Sequence, residues 1–123
     1  MGVDLLVLRL TQEGAHIPIA LEEWRQVLDE SSDLRLRTDP YVTVNPRTGE
    51  RIKLLAGEAD SEISVGGEWR AFLCFSSRRG TLAMRYQREF EDPQNPVRIR
   101  IASIARRLKA VIMTDAGDDL LPW

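Results

Sequence analysis

The period of the apolar positions changes three times along the chain. Residues 3–10 form a nearly unbroken apolar run, VDLLVLRL, interrupted only by Asp4 and Arg9. That is the pattern of a strand buried on both faces in the middle of a sheet. Over residues 18–30 the spacing lengthens, with Leu21, Trp24, Val27 and Leu28 at helical intervals. Pro18 suits a helix entry, and Glu22 and Glu23 suit the positive end of a helix dipole. Ala20 stands where a capping box would carry Ser or Thr, three residues before Glu23.

Between residues 34 and 87 the period falls to two. Residues 41–45 and 51–55 flank Asn45-Pro46-Arg47-Thr48-Gly49-Glu50, the turn chemistry of a hairpin. Ile63 and Val65 lead into Gly66-Gly67, after which Trp69, Ala71, Leu73 and Phe75 alternate on one expected face, giving a second hairpin. Alternation resumes with Leu82, Met84 and Tyr86, so these strands are expected to form one antiparallel meander. Asn95 as cap, Pro96 at the first helical position, and Val97, Ile101, Ile104 and Leu108 in one stripe predict a second helix to about residue 109. A short strand over 110–114 and an irregular tail from about 115 complete the chain. The expectation is an α+β fold: a mostly antiparallel sheet of about five to seven strands with two helices on one face.

Composition adds limits. With 123 residues, 43% hydrophobic and 29% charged, the chain matches a single globular domain, residues 1–123, with a core sufficient without disulfides. Cys74 is the only cysteine, which rules out an internal disulfide and argues against a zinc cluster. No basic leader or membrane-length apolar run is present, so a cytoplasmic setting is expected.

Candidate chemistry is sparse. His16, the only histidine, falls in an expected loop without a metal-ligating or nucleophilic companion. Cys74 lies mid-strand between Leu73 and Phe75, a place for a small core residue rather than a reactive thiol. Glu58, Asp60 and Glu62 alternate and Asp115, Asp118 and Asp119 crowd the tail, yet neither set has the spacing of a calcium loop. No glycine-rich phosphate loop or dinucleotide fingerprint occurs. The expectation is therefore no catalytic residue, no metal and no cofactor. A carboxylate–arginine site drawn from Glu62, Glu68, Arg70, Tyr41 and Tyr86 is the enzymatic alternative.

The formal charge of −2 conceals segregation. Residues 1–33 hold seven acids against Arg9 and Arg25, and 35–57 hold five bases against Asp39 and Glu50. Residues 58–68 hold four acids and no base, whereas 70–109 hold ten bases against Glu89, Glu91 and Asp92. An arginine-rich stretch including Arg78, Arg79, Arg85, Arg88, Arg98, Arg100, Arg106 and Arg107 could follow a nucleic-acid backbone. The strands lack the interleaved aromatics of a single-strand platform, and segregated charge serves equally to steer a protein partner. Nucleic acid and membrane are accordingly not the expected partners.

The run Ile19-Ala20-Leu21-Glu22-Glu23-Trp24, the 45–50 turn, the Trp69 strand, and Asp92-Pro93-Gln94-Asn95-Pro96-Val97 followed by Ala105-Arg106-Arg107-Leu108 together resemble a group of small bacterial proteins similar to toxin-immunity proteins. The resemblance covers most of the chain through scaffold motifs. It implies a non-catalytic protein that neutralises a cognate toxin by occluding its active site. Trp69, Arg70, Arg78, Arg79, Asp115, Asp118, Asp119 and Trp123 are the partner-binding candidates, with Trp123 as a potential exposed anchor.

Overall fold

A computed structural model describes residues 3–38, 40–54, 59–116 and 120–123, with the backbone alone at Tyr41 and Leu54. Strand β1 (Asp4–Leu10) is central, as its apolar run predicts. It pairs antiparallel with β8 (Thr81–Arg85) through Asp4–Val7 and with β9 (Val111–Thr114) through Leu5–Leu8. Its last two residues pair with β2 (His16–Ile17), so His16 lies in a short exposed strand rather than a loop. The remaining members of this seven-stranded sheet are β7 (Glu68–Ser76), β6 (Asp60–Val65) and β3 (Leu34–Leu36), in the order β2-β1-β8-β7-β6-β3. All these pairings are antiparallel.

Helices α1 (Leu21–Asp29) and α2 (Pro96–Arg107) cover one face. Register explains which face. Val7 lies opposite Leu82 and Ile112, Leu82 opposite Phe75, and Leu34 opposite Ile63. Directly opposed residues share a side, and these join Trp24, Val27, Leu28, Val97, Ile101 and Ile104 in one core. The burial of β1 on both faces is only half met: Leu5 and Val7 are fully buried, whereas Leu6 and Leu8, on the other face, are partly exposed.

Each helix is fixed at its entry. Asn95 Oδ1 accepts from the backbone N–H groups of Val97 and Arg98, both at 3.0 Å, which caps α2 as its sequence predicts. Helix α1 starts at Leu21, three residues later than Pro18, and half of the capping box survives. Glu23 accepts from the Ala20 N–H at 3.1 Å, but Ala20 has no oxygen to return the bond. Arg9 completes the clamp from β1, donating to both Glu23 oxygens and to the Pro18 carbonyl, each at 2.7 Å. Trp24 ties α1 to the approach to β6 by donating from Nε1 to the Ala59 carbonyl at 3.1 Å.

The expected single meander is corrected on two counts. Strands β6, β7 and β8 do form one, but β4 (Tyr41–Val44) and β5 (Arg51–Leu54) pair only with each other, in a separate two-stranded sheet. The alternation over Trp69, Ala71, Leu73 and Phe75 is also broken. Asp60 opposes Cys74 while Glu62 opposes Ala71, so β7 carries one extra residue there, a bulge that leaves Phe72 and Leu73 both buried. The Ser61 hydroxyl donates to the Leu73 carbonyl at 2.6 Å and satisfies the irregular backbone. Trp69 and Ala71 therefore face away from the helices, and Leu73 and Phe75 face the core.

The described part of the tail holds no helix or strand, but it folds back onto the sheet. Leu120 bridges Met113, Leu121 donates its N–H to the Ile112 carbonyl at 2.7 Å, and Trp123 packs with Tyr86 and Phe90 at ring separations of 6.4 and 5.8 Å. Among the described residues no helix is long and apolar enough to cross a membrane.

Candidate partner-binding surfaces

The residues singled out from sequence do not form one patch. Trp69, on the outer face of β7, is 37% exposed, and the Arg35 guanidinium lies 4.1 Å from its ring centroid. Arg35 also pairs with Glu62 at 2.9 Å, and Glu62 holds Arg37 at 3.0 Å with its other oxygen. Trp69 is thus presented as a braced aromatic beside a carboxylate bridged by two cations. Arg70 points to the opposite side and is held by Glu89 at 2.6 Å and Gln87 at 3.2 Å.

Arg78 and Arg79 sit in the β7–β8 turn, at the far end of β7 from Trp69. Asp115 extends the β1–β9 ladder: its carboxylate accepts from the Asp4 N–H at 2.9 Å and its own N–H donates to the Asp4 carbonyl at 3.0 Å. Asp118 and Asp119 lie outside the described residues. Trp123, expected as an exposed anchor, is instead partly buried over the Tyr86–Phe90 edge, with Arg98 4.9 Å from its ring centroid. That correction follows from the return of the tail onto β9, which carries the indole inward.

The remaining sequence candidates stand apart as well. Cys74 is a partly buried mid-strand residue opposite Asp60 and Ala83. Asp60 and Glu62 do share the outer face of β6, and Glu58 lies outside the described residues. Among the described residues no group of three or more His, Cys, Asp or Glu side chains is placed to hold a metal. Of the possible carboxylate–arginine set, Glu62 is on the outer face, Arg70 on the inner, Glu68 exposed at the turn and Tyr86 against Phe90. The side chain of Tyr41 is outside the description. A groove of about 460 Å³ between α2 and the β6–β7 turn contains none of these residues; it holds Ile63, Val65, Ile99 and an Arg100 tied by Asp33, Ser31 and Ser103.

Charge segregation along the sequence becomes neutralisation in space. Arg100 reaches Asp33 at 3.0 Å, Arg107 reaches Glu30, and Arg85 lies 3.9 Å from Asp4, each joining the basic stretch to the acidic first third. Hydrogen bonds hold two of the carboxyls below their ordinary range: Glu23 through Arg9 and then the Ala20 N–H, and Glu30 through Gln26 and then Arg107.

The surface that sequence reading overlooked is the β4–β5 arm. Val42 opposes Lys53 and Val44 opposes Arg51, on one face, while Thr43 opposes Ile52 on the other. Val42 and Val44 are each 55% exposed and Ile52 41%. Arg47, Arg51 and Lys53 have no ion pair among the described residues. The tip is closed by its own bonds: Asn45 Oδ1 accepts from the Arg47 N–H at 2.9 Å, and the Asn45 carbonyl accepts from the Gly49 N–H at 2.8 Å, with Gly49 at φ 74°. Alternating Val, Thr and Ile had marked the strands, but periodicity alone does not say that a hairpin stands apart from its sheet.

Compared with family models, curated proteins and solved structures, the chain matches none.

Proposed function

We propose that the protein is a non-catalytic protein-binding module, and specifically an immunity protein that neutralises a cognate bacterial toxin by occluding its active site in the cytoplasm. The observation that carries this reading is the β4–β5 arm, where large apolar side chains and cations stand exposed together on one ribbon. Isolated apolar residues at a surface are ordinary, but a two-stranded ribbon exposed on both sides is marginal in water and gains most from being covered. Trp69 adds an anchor of the kind that dominates tight interfaces, an aromatic with a flanking arginine whose geometry is set before binding. The pairing of Arg70, Arg85, Arg100 and Arg107 with carboxylates takes support from the alternative of an arginine-rich nucleic-acid surface.

Tagged protein purified from its natural host at physiological salt should carry one partner in roughly equal amount. Expression of that partner alone should arrest growth, and co-expression with this chain should restore it. Recovery of no partner, or of one whose toxicity is not relieved, overturns the reading.

A further inference from the structure

We propose that the β4–β5 arm is the docking element and that its occupant is an acidic protein surface with small apolar recesses between its carboxylates. This inference rests on the protein-binding reading and names the chemistry of the partner.

The arm offers Val42 and Val44 in line with Lys53 and Arg51, so each exposed valine has a cation directly across the ribbon. Opposed residues of an antiparallel pair lie side by side on one face, and a partner meeting that face must match apolar area and positive charge at the same spacing. Arg47 adds a third cation in the turn, which also holds Glu50. Across the ribbon, Ile52 leaves the second face apolar as well, with 41% of its surface exposed.

Three other occupants fit less well. In a second copy paired along β5 with a two-fold axis at Ile52, Arg51 of one copy would oppose Lys53 of the other, and like charges in register are unfavourable. A single-stranded nucleic acid stacks on successive aromatic side chains, and the arm's two strands and turn hold one aromatic, Tyr41, at the end away from the turn. A membrane-inserting hairpin would be apolar at its tip, whereas this tip is Asn45-Pro46-Arg47-Thr48-Gly49-Glu50. Complementary charge with interspersed apolar contact is what an acidic protein surface provides, and it would also speed association.

The test compares four forms of the full chain: the native protein; one in which a Gly-Ser-Gly linker replaces residues 42–53; R47E/R51E/K53E; and V42S/V44S. Tyr41 and Leu54 oppose each other, so a short linker closes the gap. Each form is used to capture the partner from the host, and the partner is then identified, purified and titrated against each. The expected result is one acidic partner whose affinity falls at least a hundredfold with the linker form and at least tenfold with each substituted form. The charge-reversed form should recover affinity with a partner whose matching carboxylates are changed to lysine. A partner that binds the linker form as tightly as the native chain overturns this inference and leaves the binding reading intact. Capture of no partner by any form overturns both. Arm-dependent binding of a mixed-sequence oligonucleotide or of vesicles containing phosphatidylserine, with no protein captured, overturns the choice of an acidic protein.

Discussion

At the scale of single residues, three positions carry more of the fold than their chemistry suggests. Lys109 has φ 55°, and the N–H groups of Ala110 and Lys109 bond back to the carbonyls of Ala105 and Arg106 at 2.7 and 3.2 Å. These are the bonds of a Schellman ending, in which glycine is the usual left-handed residue because it has no Cβ to crowd the carbonyl. Lys109→Gly should therefore stabilise the protein by about 0.5–1 kcal/mol, read as a rise in the urea midpoint. Gly80 shows the opposite dependence. A Cβ there would stand 2.5 Å from Pro18 Cβ and 2.7 Å from its Cα, at φ 65°. Gly80→Ala should cost about 2 kcal/mol or more, because strain and overpacking act together. Glu23 links stability to pH. Its carboxyl titrates below the ordinary range in the folded chain, so the unfolded state binds the proton first and stability rises with pH across that window. The advantage of the native chain over Glu23→Gln should be fully present above the ordinary carboxylate range and shrink as the pH falls through and below it. Urea midpoints at several pH values will show this; a gap that stays constant would disconnect the clamp from the titration.

At the scale of elements, helices were the most legible because their signals are local. The 4-3-4 stripe of α2 and its Asn95-Pro96 start need only neighbouring residues, and α2 spans Pro96–Arg107. The longer strands were legible too, since alternation and turn residues are local, but β2 and β3, two and three residues long, are too short to show a period. What stayed hidden was partnership. Nothing in Tyr41–Val44 or Arg51–Leu54 says that these strands leave the main sheet. Nor does the order Phe72-Leu73 say that an extra residue in β7 will turn both toward apolar surroundings, because the bulge is defined by the opposing strand. The arm's separation has a measurable consequence. None of the described side chains from Val42 to Lys53 is buried, so replacing residues 42–53 by the linker should remove no core area. Its thermal midpoint should stay within about 3 °C of the native value, because a change below ~0.5 kcal/mol shifts a domain of this size by only a few degrees. A drop of about 10 °C or more would place the arm in the folding core rather than at the partner interface.

At the scale of the whole molecule, the electrical division seen along the sequence is partly undone by topology. The fold brings Asp4, Glu30 and Asp33 beside Arg85, Arg107 and Arg100, residues far apart in the chain, so blocks of opposite sign meet. Sequence showed the blocks but could not show their meeting, which takes Arg70, Arg85, Arg100 and Arg107 out of the free charge that an arginine-rich nucleic-acid surface would need. Arg98 is likewise engaged, donating to the carbonyls of Phe90 and Glu91. Arg78, Arg79, Arg88 and Arg106 keep their charge without an ion pair among the described residues, but Arg78 and Arg79 occupy a turn and the other two lie on separate elements. No single element carries more than two of these four, so none of them presents the continuous cationic stripe that tracks successive phosphates. The dependence of log affinity on log salt for a mixed single-stranded oligonucleotide should therefore be shallow, with a slope no steeper than about −1.5, equivalent to roughly two neutralised phosphates. Titrations between 25 and 200 mM salt decide this, and R78Q/R79Q should weaken whatever binding is seen. A slope steeper than about −3 would require at least four phosphates tracked at once. The paired arginines would then have to exchange their carboxylates for phosphate, and nucleic acid would return as the partner.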